Sequence, residues 1–189
     1  MGKKALVFLA EGFEEVEAVS PIDYLRRAGI EVVSAAISKE RKVTGAHGIP
    51  FTADTSIPDL QEQGKFTPAS WDGVFVPGGL PGASNLAACS AAGEFYREMA
   101  GAGKLVAAIC ASPAVFLAPL GLLKDKRFTC FPGTEKQVKD GTWLSQRVVR
   151  DGNLVTSRAA GTAAEFALAL IEKLAGAEAA KKLKEEVLL

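Results

Sequence analysis

Lys104-Leu105-Val106-Ala107-Ala108-Ile109-Cys110-Ala111-Ser112-Pro113 is the stretch on which the fold turns. The apolar run Leu105 to Ile109 predicts a buried strand. Ser112-Pro113 predicts a helix start, a capping hydroxyl followed by a proline whose fixed φ suits the first helical position. Cys110 then sits on a sharp turn between strand and helix, its side chain aimed outward. This is a nucleophile-elbow layout with sulfur in place of a serine hydroxyl. The free N–H groups of a helix's first turn would favour a thiolate over a thiol. The alternative for a free cysteine is an inert buried thiol.

Outward from this centre, strands and helices alternate. Lys4 to Ala10 and Ile30 to Ile37 read as strands. Between them, Val16, Val19, Ile22 and Leu25 recur at three-residue spacing, predicting an amphipathic helix over 14–28 that ends at Gly29. Pro21 would ordinarily kink it, although the apolar spacing continues beyond. Val43 to Thr55 reads as an extended or hairpin segment with Gly45 and Gly48 at its turn. Residues 58 to 70 carry little pattern. Gly73-Val74-Phe75-Val76 is a third buried strand, and Ser90 caps a helix to about Ala100. Arg127 to Phe131 reads as a short strand. Arg147 to Arg150 and Asn153 to Thr156 form a hairpin across Asp151-Gly152. Helices over Thr162 to Leu174 and Glu178 to Val187 close the chain. Buried strands alternating with helices predict an α/β fold, one doubly wound domain over 1–189 with a mainly parallel sheet covered on both faces.

Composition narrows the function. With 189 residues, 48% of them apolar, the chain can bury a sizeable core. Its 22 basic and 22 acidic residues cancel, so nothing recommends nucleic acid or an anionic membrane as partner. Leu105 to Leu123 is uncharged, but Pro113, Pro119 and Gly121 divide it into core strand and helix rather than a membrane span. Cys89, Cys110 and Cys130 are odd in number and widely spaced, which predicts free thiols in a reducing compartment. Without a leader-like opening, the cytoplasm is the expected location.

In a doubly wound sheet, chemistry gathers beyond the carboxyl ends of the strands. Three such ends stand out. The first strand leads into Glu11-Gly12-Phe13-Glu14-Glu15-Val16-Glu17. These acids suit a helix N-terminus, which explains Glu14 and Glu15 better than Glu17. Glu17 shares broadly the face of Val16 and is free to turn inward. The third strand runs into Pro77-Gly78-Gly79, whose paired glycines either expose N–H groups to a ligand or simply make a tight turn. The last end is Cys110. His47 is the one histidine and falls in a predicted turn, so a Cys-His hydrolase has no evident proton shuttle. A carboxylate, with Glu17 as the leading candidate, would then handle the thiol's proton. The same scarcity of histidine argues against a catalytic metal.

Leu9 to Glu17, Val76-Pro77-Gly78-Gly79, Ala107-Ala108-Ile109-Cys110-Ala111 and Thr156-Ser157-Arg158 through Gly161-Thr162 occur in order. Together they resemble the ThiJ/PfpI superfamily, in the branch of the parkinsonism-associated protein deglycase and the bacterial YajL proteins. The likeness runs over about 5–175. It implies a flavodoxin-like α/β sandwich, usually a homodimer, working without metal or organic cofactor. It also implies that Cys110 is the reactive elbow cysteine and Glu17 its hydrogen-bonded partner. By the same resemblance the Gly79 and Ala111 N–H groups form an oxyanion pocket, beside Gly78. Arg27 and Arg158 match arginines near the pocket and the dimer interface. The implied activity is that of a glyoxalase or protein deglycase, acting on methylglyoxal or on glycated side chains in carbonyl and oxidative stress. A redox sensor or redox-regulated chaperone, signalling by oxidation of Cys110 without turnover, is the alternative. Two departures stand out. Phe131 occupies the place of a histidine in the human-type proteins, and Ala111 that of the histidine of the protease-like members, which argues against a peptidase.

Overall fold

The structure is a computed structural model and describes residues 2–189. Its strands and helices run, in order, β1 (Lys4–Leu9), α1 (Glu15–Arg27), β2 (Glu31–Ala36), β3 (Lys42–Thr44), β4 (Pro50–Thr52), β5 (Thr55–Ser56), α2 (Ile57–Glu62), β6 (Gly73–Val76), α3 (Gly82–Ala87) and α4 (Ser90–Gly101). Then come β7 (Leu105–Ile109), β8 (Arg127–Phe128), β9 (Thr142–Trp143), β10 (Val148–Asp151), β11 (Leu154–Ser157), α5 (Ala163–Ala175) and α6 (Ala177–Glu186). Seven strands form one sheet in the order β10-β11-β7-β6-β1-β2-β5. Every neighbouring pair in it is parallel except the β10–β11 hairpin.

Alternation along the strands builds two cores. Val7, Leu9, Phe75, Ala107, Ile109 and Val155 face α1, α5 and α6, meeting Ile22, Leu25, Phe166 and Leu170. Leu6, Phe8, Val74, Val76, Val106 and Ala108 face α2, α3 and α4, meeting Leu60, Leu86, Phe95 and Tyr96. A strand buried on both sides must be apolar throughout, and β6, β7 and all of β1 beyond the exposed Lys4 are. The expected doubly wound α/β sandwich is therefore what the chain forms. Among the described residues, no helix is long and apolar enough to cross a membrane.

Several local expectations differ from the structure. The stretch after Cys110 is not a regular helix but one π-type turn, Pro113–Leu117. Ser112 does not cap it: its backbone is already helical, and its buried hydroxyl donates to the Pro77 carbonyl at 2.6 Å. On α1, Val16 and Val19 are 48% and 45% exposed, while Glu15 and Glu17 are buried. At about 100° per residue, Glu17, Pro21, Leu25, Ala18, Ile22 and Glu15 sweep one continuous arc, and that arc faces the sheet. Pro21 is carried inside the helix without ending it. The predicted strand over 127–131 stops at Phe128, and α3 has no forerunner in the sequence pattern.

Candidate active site at the β7 elbow

The carboxyl ends of β1, β6, β7 and β11 converge on Cys110. Its φ is +66°, a left-handed conformation that costs a non-glycine residue about 1–3 kcal/mol. Hydrogen bonds on both sides hold it there. Cys110 N–H donates to the Ser157 carbonyl at 3.0 Å, and the Cys110 carbonyl accepts the Phe131 N–H at 2.7 Å. The side chain is half-buried, and the N–H groups of Gly79 and Ala111 are directed at its sulfur. Positive charge aimed at the sulfur is what an anionic thiolate or adduct needs.

Glu17 reaches the same point from α1. It is 1% exposed, and its Oε2 accepts the Gly78 N–H at 2.8 Å. Its carboxyl group interacts with the Cys110 side chain and the Ala160 N–H, yet Oε1 is buried without a well-formed hydrogen bond. Glu14 caps α1 by accepting the Glu17 N–H at 2.7 Å, so the first-turn acids divide their work. Burial, reinforced by the Glu14 charge, pushes Glu17 up to about 7 against the Gly78 hydrogen bond. A carboxylate so placed ionises close to neutral pH, where a proton shuttle works best.

The sulfur departs from expectation. Burial, then the charge of Glu17 and its hydrogen bond, push the Cys110 thiol up to about 12, and the Gly79 and Ala111 N–H groups offset only part of this. Burial and the Glu17 charge both act against a thiolate, so the two groups titrate as a pair that favours a single negative charge. The short turn after Ser112 explains part of the difference, because it lacks the dipole of a full helix.

Gly78 leaves no room for a side chain. A methyl carbon there would lie 2.5 Å from Cys110 Cβ, 2.9 Å from Glu17 Oε2 and 3.0 Å from the sulfur. Gly78→Ala is expected to destabilise the protein by about 1–3 kcal/mol and to cut any Cys110-dependent turnover about 100-fold. A thermal melt and a rate measurement on the same preparation check both. Gly79, with φ +86°, aims its N–H at the sulfur through a conformation glycine adopts freely.

The remaining residues are placed unequally. Arg158 directly follows β11, and its half-buried side chain lies by Cys130. Arg27 is not brought to the site. It occupies the far end of α1, about 15 Å along the axis from Glu17, in ion pairs with Asp23 at 2.7 Å and Glu186 at 3.5 Å. His47 is committed to Glu15, its Nδ1 2.8 Å from Oε2, while Glu15 Oε1 accepts the His47 and Ile49 N–H groups. These bonds pin the β3–β4 hairpin to α1 and hold the His47 pKa up. Glu14, Glu15 and His47 bring ligand-capable atoms within 4.8 Å of one another, but the Glu15 oxygens are already engaged by the hairpin. A cavity of about 520 Å³ lined by Lys3, Asp72, Lys104 and Lys173 opens at the amino ends of the strands, away from Cys110.

Sequence reasoning missed two bracing elements. The Ser112–Pro77 hydrogen bond ties the elbow to the glycine loop, and the Ala160 N–H approaches Glu17. The Thr156–Thr162 motif carried a signal for the second, since β11 lies beside β7.

The model of the DJ-1/PfpI family matches residues 3–173. A Danio rerio protein named Parkinson disease protein 7 homolog is 40% identical, the match covering 100% of this chain and 98% of the relative. A Caenorhabditis elegans protein named glutathione-independent glyoxalase DJR-1.2 is 35% identical over 99% of this chain and 97% of its own. The crystal structure of Drosophila melanogaster DJ-1beta superposes with a TM-score of 0.92 at 38% identity, covering 100% of this chain and 99% of that one.

Proposed function

Since the chain belongs to the DJ-1/PfpI family, we propose that it is a glyoxalase-type enzyme that converts methylglyoxal, free or as an adduct on side chains, to a hydroxy acid. The observation that carries this is the buried Glu17 carboxyl facing the Cys110 sulfur beneath two convergent N–H groups. A full-length relative named as a glutathione-independent glyoxalase supports it.

In the proposed cycle, the Glu17 carboxylate takes the thiol proton as the sulfur attacks the aldehyde carbon. The hemithioacetal oxygen draws on the Gly79 and Ala111 N–H groups, a contribution of about 3 kcal/mol per donor. Glu17 then moves a proton from the former aldehyde carbon to its neighbour through an enediol, leaving a thioester. Water cleaves the thioester, releases lactate and returns the thiol. The overall change is isomerisation plus hydration, so no external oxidant or reductant enters. Purified protein without glutathione is expected to form lactate from methylglyoxal; no lactate overturns the proposal.

The working unit in this proposal is a homodimer. Val16 and Val19 leave apolar surface open on the outer side of α1, and Ile49, 58% exposed, is bonded to Glu15 on the same helix. Val19→Glu is expected to shift sedimentation from dimer to monomer. A wild-type monomer at micromolar concentration overturns this part.

A further inference from the structure

Phe131 is a large aromatic side chain that the fold leaves open, at 46% exposure. Its backbone is nevertheless fixed. The N–H donates to the Cys110 carbonyl at 2.7 Å, and the Phe131 carbonyl accepts both the Thr134 N–H at 3.1 Å and its hydroxyl at 2.7 Å. Gly133, with φ +95°, makes the turn that brings Thr134 back. The preceding residue, Cys130, is fully buried and anchors the segment from the other side. Covalent geometry therefore keeps the two Cα atoms, of Phe131 and Cys110, within about 7 Å of each other.

Among the described residues, the aromatic pairs join Phe8, Phe13, Phe51, Phe66, Phe75, Phe95, Tyr96, Phe116 and Phe166, leaving Phe131 out. An unpaired, partly exposed ring on a backbone hydrogen-bonded to that of a nucleophile gains whenever an apolar ligand group covers it. In a hemithioacetal on Cys110, the substituent of the ketone carbon begins two bonds beyond the sulfur-bearing carbon. That is within reach of a residue tethered to the Cys110 carbonyl.

We propose that Phe131 sets the substrate preference of Cys110, favouring 2-oxoaldehydes whose ketone carbon carries an aromatic or bulky apolar group. The inference rests on the glyoxalase reading above and adds a substrate class to it. The chemistry is unchanged: a carbon–sulfur bond forms and later breaks, water is consumed, and oxidation of one carbon balances reduction of its neighbour. Only the covering of the substituent differs.

The test is steady-state kinetics of the full chain with phenylglyoxal and methylglyoxal, for wild type, Phe131→Ala and Phe131→Leu. The kcat/KM ratio of phenylglyoxal to methylglyoxal is expected to fall about tenfold in Phe131→Ala. Phe131→Leu, which keeps apolar bulk but loses the ring, should fall about threefold, and it serves alone should the alanine variant not fold. Because the ratio cancels general damage to the elbow, a purely structural role leaves it unmoved. An unchanged ratio overturns the proposal and leaves the glyoxalase reading standing. Turnover of neither substrate by the wild type overturns both.

Discussion

Cys110→Ser is expected to lower methylglyoxal turnover by about 10³-fold or more while the fold persists. Serine matches cysteine in shape and can keep the left-handed turn, because Ser157 and Phe131 hold that turn through backbone atoms. What it loses is acidity. Burial and the neighbouring carboxylate already press the Cys110 thiol up to about 12. A hydroxyl starts several pKa units higher, beyond what a carboxyl titrating at about 7 can deprotonate. The measurement is lactate formation alongside a circular dichroism spectrum; wild-type turnover in the serine variant refutes the nucleophile. Mild peroxide followed by intact mass separates the alternative of a redox sensor. Gain of two oxygens at Cys110 in a protein with no turnover favours the sensor.

Glu17→Gln separates catalysis from stability in opposite directions. Glutamine is nearly isosteric and can still accept the Gly78 N–H, but its amide neither takes up nor releases a proton near neutral pH. Turnover is expected to fall about 10²- to 10⁴-fold. Stability should move the other way. Glu17 binds its proton more tightly in the folded chain, at about 7, than its ordinary 4.5. Its favourable contribution is thus complete below pH 4.5 and is lost as pH rises through 7. At pH 8 the wild type bears the cost of a buried carboxylate, about 3 kcal/mol, which glutamine avoids. Denaturant melts should show the variant more stable at pH 8 and near-equal at pH 4. In the wild type, kcat/KM should rise with pH toward a plateau above about 7, as the base form of Glu17 fills. Retained turnover, or a less stable variant at pH 8, overturns the shuttle role.

Much of this was legible in one dimension. Strands that must be apolar on both faces announce a parallel sheet, and β6 appears at the boundaries its Gly73-Val74-Phe75-Val76 run predicts. The Asp151-Gly152 hairpin and the closing helices were equally visible, because short-range turn chemistry and periodicity determine them. The face of α1 was not. Spacing favoured Val16 and Val19 as core, yet a helix with apolar residues on most sides can be rotated either way. The sheet chose the arc holding Ala18, Ile22 and Leu25, carrying Glu15 and Glu17 inside with them.

Local covalent character and periodicity belong to the sequence, and from them came the α/β architecture and the elbow between β7 and the following turn. The ionisation of the sulfur belongs to the assembled molecule. Whether a thiol there rests protonated depends on desolvation and on a carboxylate brought from α1, ninety-three positions earlier in the chain. Likewise, the distance of Arg27 from the site and the nearness of Phe131 are set by packing across elements. Electrostatic and contact energies act through space, so residues remote in sequence dictate them and no local pattern encodes them.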